Sequence, residues 1–245
     1  MKAMIFAAGL GTRLKPITDT LPKALVPIAG KTLLEHTILK LKSSGFTDIV
    51  INVHHFANKI TEFLKANNNF GVNISISDES EMLLETGGGI RKAAPLLGSE
   101  PFLIHNVDIV SNVDLRSLYN EHIKTGADAT LLVSKRESSR ALLFDNDGNL
   151  KAWRNNSTGE VKTTFESLDI NSLQPYAFSG IHVFSPSPFP QMSGYPDKFP
   201  IMDFYLDICK KAKIKALVCN DLRLIDVGKL NSLSEAEKLV TELNA

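Results

Sequence analysis

The sequence predicts an α/β fold: a Rossmann-like, three-layer architecture around a mixed, mostly parallel sheet. Short apolar runs alternate with segments of helical period, and the first of those runs ends in a glycine-rich loop. The chain, with 245 residues of which 43% are hydrophobic and 22% charged, is long enough to bury one substantial core. Alternation at this spacing predicts βαβ units with right-handed crossovers. In such sheets ligands bind beyond the carboxyl ends of the strands, where the glycine-rich loop falls. The 27 basic and 27 acidic residues cancel. Bulk electrostatics therefore gives no hold on nucleic acid or an anionic membrane, and any anion site must be local.

The first apolar run, ending in Met4-Ile5-Phe6, is too short for a lone helix and leads into Ala7-Ala8-Gly9-Leu10-Gly11-Thr12-Arg13. It reads as a strand, a tight loop and a basic cluster. Gly9 and Gly11 permit positive φ and close backbone approach, while Arg13, Lys15 and Lys23 supply charge, a combination suited to polyphosphate. A lone G-x-G would by itself describe only a strand-to-loop turn. Thr32 with Glu35 three residues on is a capping box, opening a helix with Leu34, Ile38 and Leu41 on one face and ending at Gly45. A buried strand over 48–53, a helix over 57–66 and a strand over 72–76 follow.

Gly87, Gly88 and Gly89 precede an amphipathic segment carrying Ile90, Ala93, Ala94 and Leu97. Three consecutive glycines cost backbone entropy with no evident packing gain, which points to close approach by a ligand. Phe102 to Val110 reads as one apolar strand with Asp108 near its end. A half-buried Asp in apolar company needs a partner or a cation, so Asp108 is a candidate metal ligand. Period-2 alternation turns His105 to the opposite side, as a structural histidine, and His54-His55 is read the same way. Asp114 caps a helix running toward Gly126, and residues 128–133 form a further core strand.

From about 135 to 175 the chain turns polar and hairpin-like, with Asp145-Asn146-Asp147-Gly148 as a turn rather than a calcium loop. It is expected as an insertion that shapes the acceptor side of a single domain spanning 1–245. Tyr176 to Phe184 is a strand with Gly180 in its interior, a mark of close approach by a ligand. A proline-marked loop, a helix over 201–212 and a strand over 214–218 come next. Asp226 then stands between apolar residues, and Ser232 to Leu243 forms a closing amphipathic helix. Cys209 and Cys219 make no C-x-x-C pair and read as reduced thiols of a cytoplasmic protein, with zinc not expected. No stretch approaches the roughly eighteen apolar residues of a membrane span.

Ala7 to Arg13, then Pro16, Pro22-Lys23-Ala24-Leu25-Val26-Pro27, Gly30-Lys31 and Leu33-Leu34-Glu35 together resemble the opening signature of the sugar-1-phosphate nucleotidyltransferases. The resemblance implies the nucleotide-diphospho-sugar transferase fold. It implies an enzyme that joins a nucleoside triphosphate to a sugar 1-phosphate, releases pyrophosphate and uses magnesium. Carried onto this chain, Ala8, Gly9, Gly11 and Thr12 surround the nucleotide. Arg13 takes the β- and γ-phosphates, and Lys23 bridges the α-phosphate and the acceptor phosphate. Thr86, Gly87 and Gly88 approach the nucleobase through their backbone, Glu166 and Gly180 contact the sugar, and Asp108 and Asp226 hold magnesium. Val107 stands where the family carries glycine. The left-handed β-helix of bifunctional members, and with it acetyl transfer, is not expected. Compact members use hexose 1-phosphates such as mannose 1-phosphate, or N-acetylmuramate 1-phosphate with UTP, as a monomer or small homo-oligomer.

Three rival readings share parts of this pattern. A nucleotide-sugar glycosyltransferase would want an Asp-x-Asp cluster, which Asp108-Ile109-Val110 lacks. A cytidylyltransferase acting on choline phosphate shares the signature but would want an aromatic cage, for which Trp153, Phe165 and Tyr176 are the candidates. A non-catalytic nucleotide-sugar-sensing subunit would have kept the fold and lost the metal. The joint presence of Arg13, Lys23, Asp108 and Asp226 speaks against it.

Overall fold

The computed structural model describes residues 1–244. The chain runs β1 (Lys2–Phe6), β2 (Pro27–Ile28), β3 (Lys31–Thr32), α1 (Leu33–Ser43), β4 (Asp48–Val53), α2 (Ala57–Ala66), β5 (Asn73–Asp78), α3 (Glu85–Leu97) and β6 (Phe102–Asn106). It continues through β7 (Ile109–Ser111), α4 (Leu115–Thr125), β8 (Ala129–Ser134), β9 (Arg140–Phe144), β10 (Leu150–Asn155), β11 (Val161–Lys162) and β12 (Gln174–Phe184). α5 (Ile201–Ile208), β13 (Ile214–Val218), β14 (Leu224–Asp226) and α6 (Ser232–Asn244) complete it.

β5, β4, β1 and β6 lie side by side and parallel, with Met4 opposite both Val50 and Ile104. Helices cover both faces, which is why β1 and β4 are apolar almost throughout rather than alternating with polar residues. Pleating still sorts the side chains. Ala3, Ile5 and Ile49 enter one core with α1 and α6, while Met4 and Val50 enter the other with Ile90 and the aromatics Phe102, Phe184, Phe204 and Tyr205. α1 begins as its sequence dictates: the Thr32 hydroxyl accepts from the Glu35 N–H at 3.1 Å, satisfying a donor the first turn would leave orphaned.

The antiparallel half of the sheet enters with β12, which pairs β6, β8 and β9. Its register against β8 breaks between Phe178 and His182, around Gly180 at φ 77°. Through β9, β10 and β11 the polar stretch near 135–175 adds strands to this same sheet. Among the described residues no helix is long and apolar enough to cross a membrane.

Three local expectations are corrected. The 102–110 run is not one strand: after Val107 N–H bonds the Phe6 carbonyl at 3.1 Å, Asp108 turns and Ile109–Ser111 peels away to pair with β14. α5 stops at Ile208 instead of Ala212, its carbonyl accepting from the Lys211 and Ala212 N–H groups, both at 2.8 Å. Finally, Gly87, Gly88 and Gly89 sit inside the first turns of α3, not ahead of it.

Candidate active site

Two cavities open beyond the carboxyl ends of the parallel strands. The first, about 490 Å³, is lined by the β1–α1 loop, by Lys23, Asp108 and Thr86, and by Gly228. The second, about 420 Å³, is lined by Gly180, Asp226, Arg136, Arg140 and Trp153. Phe6, Thr86 and Asn106 border both, so the two form one continuous trough.

Ala8, Gly9, Gly11, Thr12 and Arg13 all line the first cavity. Gly11 takes φ 64°, and a Cβ there would lie 3.0 Å from both Lys23 Cβ and Thr18 Cγ2. Glycine at this position therefore lets the loop lie against Lys23. Gly9 has open space around it, with no atom within 4 Å of a built Cβ. Lys15 is not part of the site: it is exposed and paired with Asp19 at 3.0 Å.

The loop is braced by residues that sequence reasoning missed. Ala7 N–H donates to Asn52 Oδ1 at 2.7 Å, and Asn52 Nδ2 donates to Glu79 Oε1 at 2.7 Å. Glu79 Oε2 accepts from the Leu84 N–H at 3.1 Å, so one fully buried carboxylate joins β1, β4 and the start of α3. Burial raises its pKa. The available signal was Asn52 within the apolar run Ile51-Asn52-Val53, a buried amide that requires a partner.

Lys23 is 8% exposed and ion-paired with the Asp108 carboxylate. β14 lies antiparallel to β7 with Asp226 opposite Ile109, and Val227 N–H donates to the Asp108 carbonyl at 2.8 Å. This pairing brings the two aspartates together from distant parts of the chain. Asp226 opens to the second cavity and has no hydrogen-bond or ion-pair partner among the described residues. Partial desolvation, and then the negative charge of Asp108, raise its pKa above the usual carboxylate value. Gly228 was also missed: a Cβ there would lie 2.8 Å from Asp226 Oδ1 and 2.9 Å from Arg13 Nη2. Arg13, Lys23, Asp108 and Asp226 thus gather around one point.

Two crowded carboxylates, one without a partner, are a donor set that suits magnesium, which takes one or two protein carboxylates and completes its shell with water and phosphate. Among the described residues there is no cluster of three or more His, Cys, Asp or Glu of the kind that would suit zinc.

Other predicted site residues fall elsewhere. Gly87 and Gly88 do not line the trough. Their N–H groups bond the Phe199 carbonyl at 2.8 and 3.2 Å, so these donors are already used within the fold. Their lack of side chains serves packing: a Cβ at Gly87 would strike the Phe199 ring and one at Gly88 the Asp197 carbonyl oxygen. From that segment Thr86 reaches the cavity, accompanied by Glu85 in the left-handed region at φ 61°. Glu166 is exposed and outside both cavities. Of the three aromatics named for a choline cage, Trp153 lines the second cavity while Phe165 and Tyr176 do not. His105 is buried, its Nδ1 bonded to the Asn106 carbonyl oxygen at 2.8 Å.

A family model described as nucleotidyl transferase matches residues 2–242. An N-acetylmuramate alpha-1-phosphate uridylyltransferase of Neisseria meningitidis is 46% identical over 119 residues, which cover 49% of this chain and 52% of that protein. The chain thus matches about half the length of that relative. A Caulobacter vibrioides protein of the same name is 35% identical over 190 residues, 75% of each chain. The crystal structure of an apo UDP-glucose pyrophosphorylase superposes with a TM-score of 0.78 over the full length of both chains, at 19% identity, and shows the shared fold. With the motif, the sheet and the trough in agreement, the chain belongs to the sugar-1-phosphate nucleotidyltransferase family.

Proposed function

We propose that this chain transfers the uridylyl group of UTP to N-acetylmuramate 1-phosphate, giving the UDP-sugar and pyrophosphate. The observation that carries the reading is the convergence of Arg13, Lys23, Asp108 and Asp226 where two phosphate-bearing substrates would meet. The choice of nucleotide and sugar draws support from the two uridylyltransferase relatives.

The acceptor phosphate is already anionic near neutral pH, so the attacking oxygen needs no strong general base. The barrier is repulsion between polyanions, and catalysis consists of alignment and charge compensation. The loop over Ala8 to Thr12 presents backbone N–H groups to the triphosphate. Arg13 offers its planar fork to the departing pyrophosphate oxygens. Lys23, beside Asp108, serves the α-phosphate and the incoming phosphate. Asp108 and Asp226 would hold magnesium, which supplies neutralising charge to phosphate oxygens.

Choline phosphate fits poorly. A quaternary ammonium would face Arg136 and Arg140, and of the lining aromatics Phe6, Phe178 and Trp153 the strongest cation binder, Trp153, already has Lys162 Nζ 5.4 Å from its ring centroid. Pyrophosphate release, measured for four NTPs crossed with N-acetylmuramate 1-phosphate, mannose 1-phosphate, glucose 1-phosphate and choline phosphate, tests the assignment. The UTP and N-acetylmuramate pair should lead. A higher kcat/KM for GTP with mannose 1-phosphate, or for CTP with choline phosphate, would replace it.

A further inference from the structure

The acceptor-side cavity has a charge pattern that a neutral sugar does not call for. A neutral sugar presents hydroxyls, each both donor and acceptor, and is commonly met by carboxylates and amides that accept from them. Here Glu166, the carboxylate assigned to the sugar from sequence, lies outside the cavity. The one carboxylate in the lining is Asp226, at the phosphate end. The charged groups facing the sugar are Arg136 and Arg140, and a guanidinium only donates. Neither has an ion-pair partner among the described residues.

The two arginines are placed differently. Arg136 Nη2 donates to the Phe178 carbonyl at 2.8 Å, just where β12 loses its register beside Gly180, and this latch holds Arg136 at the cavity wall. Its charge also acts on Asp226. Arg140, the first residue of β9 and paired with Asn155 of β10, lines the cavity with Ala141 and with the cross-strand pair Leu142 and Trp153. Arg136 is thus latched beside Gly180, and Arg140 lies on the β9–β10 wall of the same cavity. His182 packs edge-on to Phe178 and Tyr205 behind the same lining. It is 2% exposed, lines this cavity, and neither of its ring nitrogens has a partner among the described residues. The cationic lining continues into an adjoining open groove, where Lys135 and Arg154 join the two arginines and Glu137 is the only acid.

We propose that Arg140 is a specificity-determining residue that pairs with a carboxylate carried on the acceptor sugar itself. The proposal rests on the acceptor being a sugar 1-phosphate and deepens the assignment of N-acetylmuramate, whose lactyl ether bears such a carboxylate. Leu142 and Trp153 offer apolar surface beside it for the ether's methyl group.

Matched acceptors test this directly: N-acetylmuramate against N-acetylglucosamine 1-phosphate, and glucuronate against glucose 1-phosphate, each with UTP. Wild type should favour the acidic member of each pair. Arg140→Ala should lower kcat/KM for the acidic acceptor by roughly 10- to 100-fold, the loss expected for a charge-assisted hydrogen bond, and at least about tenfold more than for its neutral partner. Arg140→Lys should recover part of the preference, because it restores charge without the planar fork. Equal losses on acidic and neutral acceptors, or a wild type without acid preference, would overturn the subsite. A wild type that ignores N-acetylmuramate 1-phosphate yet prefers glucuronate to glucose 1-phosphate would instead sink the acceptor assignment and keep the subsite. A shared melting temperature across the variants separates recognition from damage to the fold.

Discussion

Replacing Gly88 by alanine separates two accounts of the glycine triplet. If the glycines exist to let a nucleobase approach, Gly88→Ala should weaken UTP binding and leave stability alone. The geometry predicts the reverse. A Cβ on Gly88 would fall 2.1 Å from the Asp197 carbonyl oxygen and 3.0 Å from Leu84 Cβ. Backbone cannot swing aside as a flexible side chain does, and this segment is tied down on both sides. Arg91 donates to the carbonyls of Met192, Tyr195 and Pro196 at 2.8 to 3.0 Å and pairs with Asp197 at 2.9 Å. Phe199 N–H donates to the Leu84 carbonyl at 3.2 Å, and Ile201 N–H to Thr86 Oγ1 at 2.9 Å.

Relieving the overlap therefore means breaking part of that lacing. Overpacking of this kind costs about 1–3 kcal/mol. Losing the bonds from Gly87 and Gly88 to the Phe199 carbonyl adds about 1 kcal/mol each. Alanine's better helix propensity returns about 1 kcal/mol. The net loss is about 2 kcal/mol or more, which for a chain of this size lowers Tm by about 4–8 °C. Calorimetry and UTP kinetics on the same preparation decide the matter. A Tm equal to wild type together with a tenfold higher KM for UTP would refute the packing account and return the glycines to the nucleotide.

Lys23→Ala should lower kcat/KM by roughly 10² or more, the order expected on losing one electrostatic donor, and near-normal turnover in steady-state assays would remove Lys23 from the proposed mechanism. Gly228→Ala places a methyl 2.8 Å from Asp226 Oδ1 and 2.9 Å from Arg13 Nη2, so pyrophosphate release should fall by about tenfold or more with little change in Tm; full activity would show that Arg13 and Asp226 need not converge there. Burial lowers His122 to about 4 and His182 to about 3. Both are protonated more readily unfolded than folded, so stability should hold above about pH 6.5 and fall as pH drops from there toward 4, by about 2 kcal/mol per group at pH 5. Denaturant midpoints that stay level from pH 7 to pH 5 would contradict this.

What the sequence disclosed was local. The Thr32 N-cap and the bounds of the helix over 57–66 depend on neighbours a few residues away, and both appear as read. The loop from Ala8 to Arg13 was likewise legible, because its glycines and charges lie within one turn of chain. The early stop of α5 at Ile208 is a local turn, but most of the other differences depend on contacts between distant segments. Nothing near Gly87 announces that the strap over Asp197 to Phe199 crosses it, so this packing requirement was invisible in the sequence. The break after Asn106 follows from β14 capturing Ile109 to Ser111, more than a hundred residues before that strand appears in sequence. Glu166 was placed by analogy of position, and the fold leaves it on the surface.

The pairing of Lys23 with Asp108 bears on how the site stays ready for its ligands. A nearly buried ammonium left alone would carry a heavy desolvation cost, and so would a carboxylate crowded by a second one. Each relieves the other while no substrate is bound. The arrangement also explains why position 23 suits lysine better than arginine. An ammonium has three donors directed tetrahedrally, so Lys23 can keep one on Asp108 and turn another toward a phosphate oxygen. A guanidinium donates within a single plane and would tend to commit its fork to the carboxylate. Arg13 stands in the opposite situation. It has no ion-pair partner among the described residues and is free to grip two oxygens at once. Under the proposed function the paired cation would work where bonds change and the neighbouring carboxylate must remain in place, and the unpaired one where a whole pyrophosphate must be held.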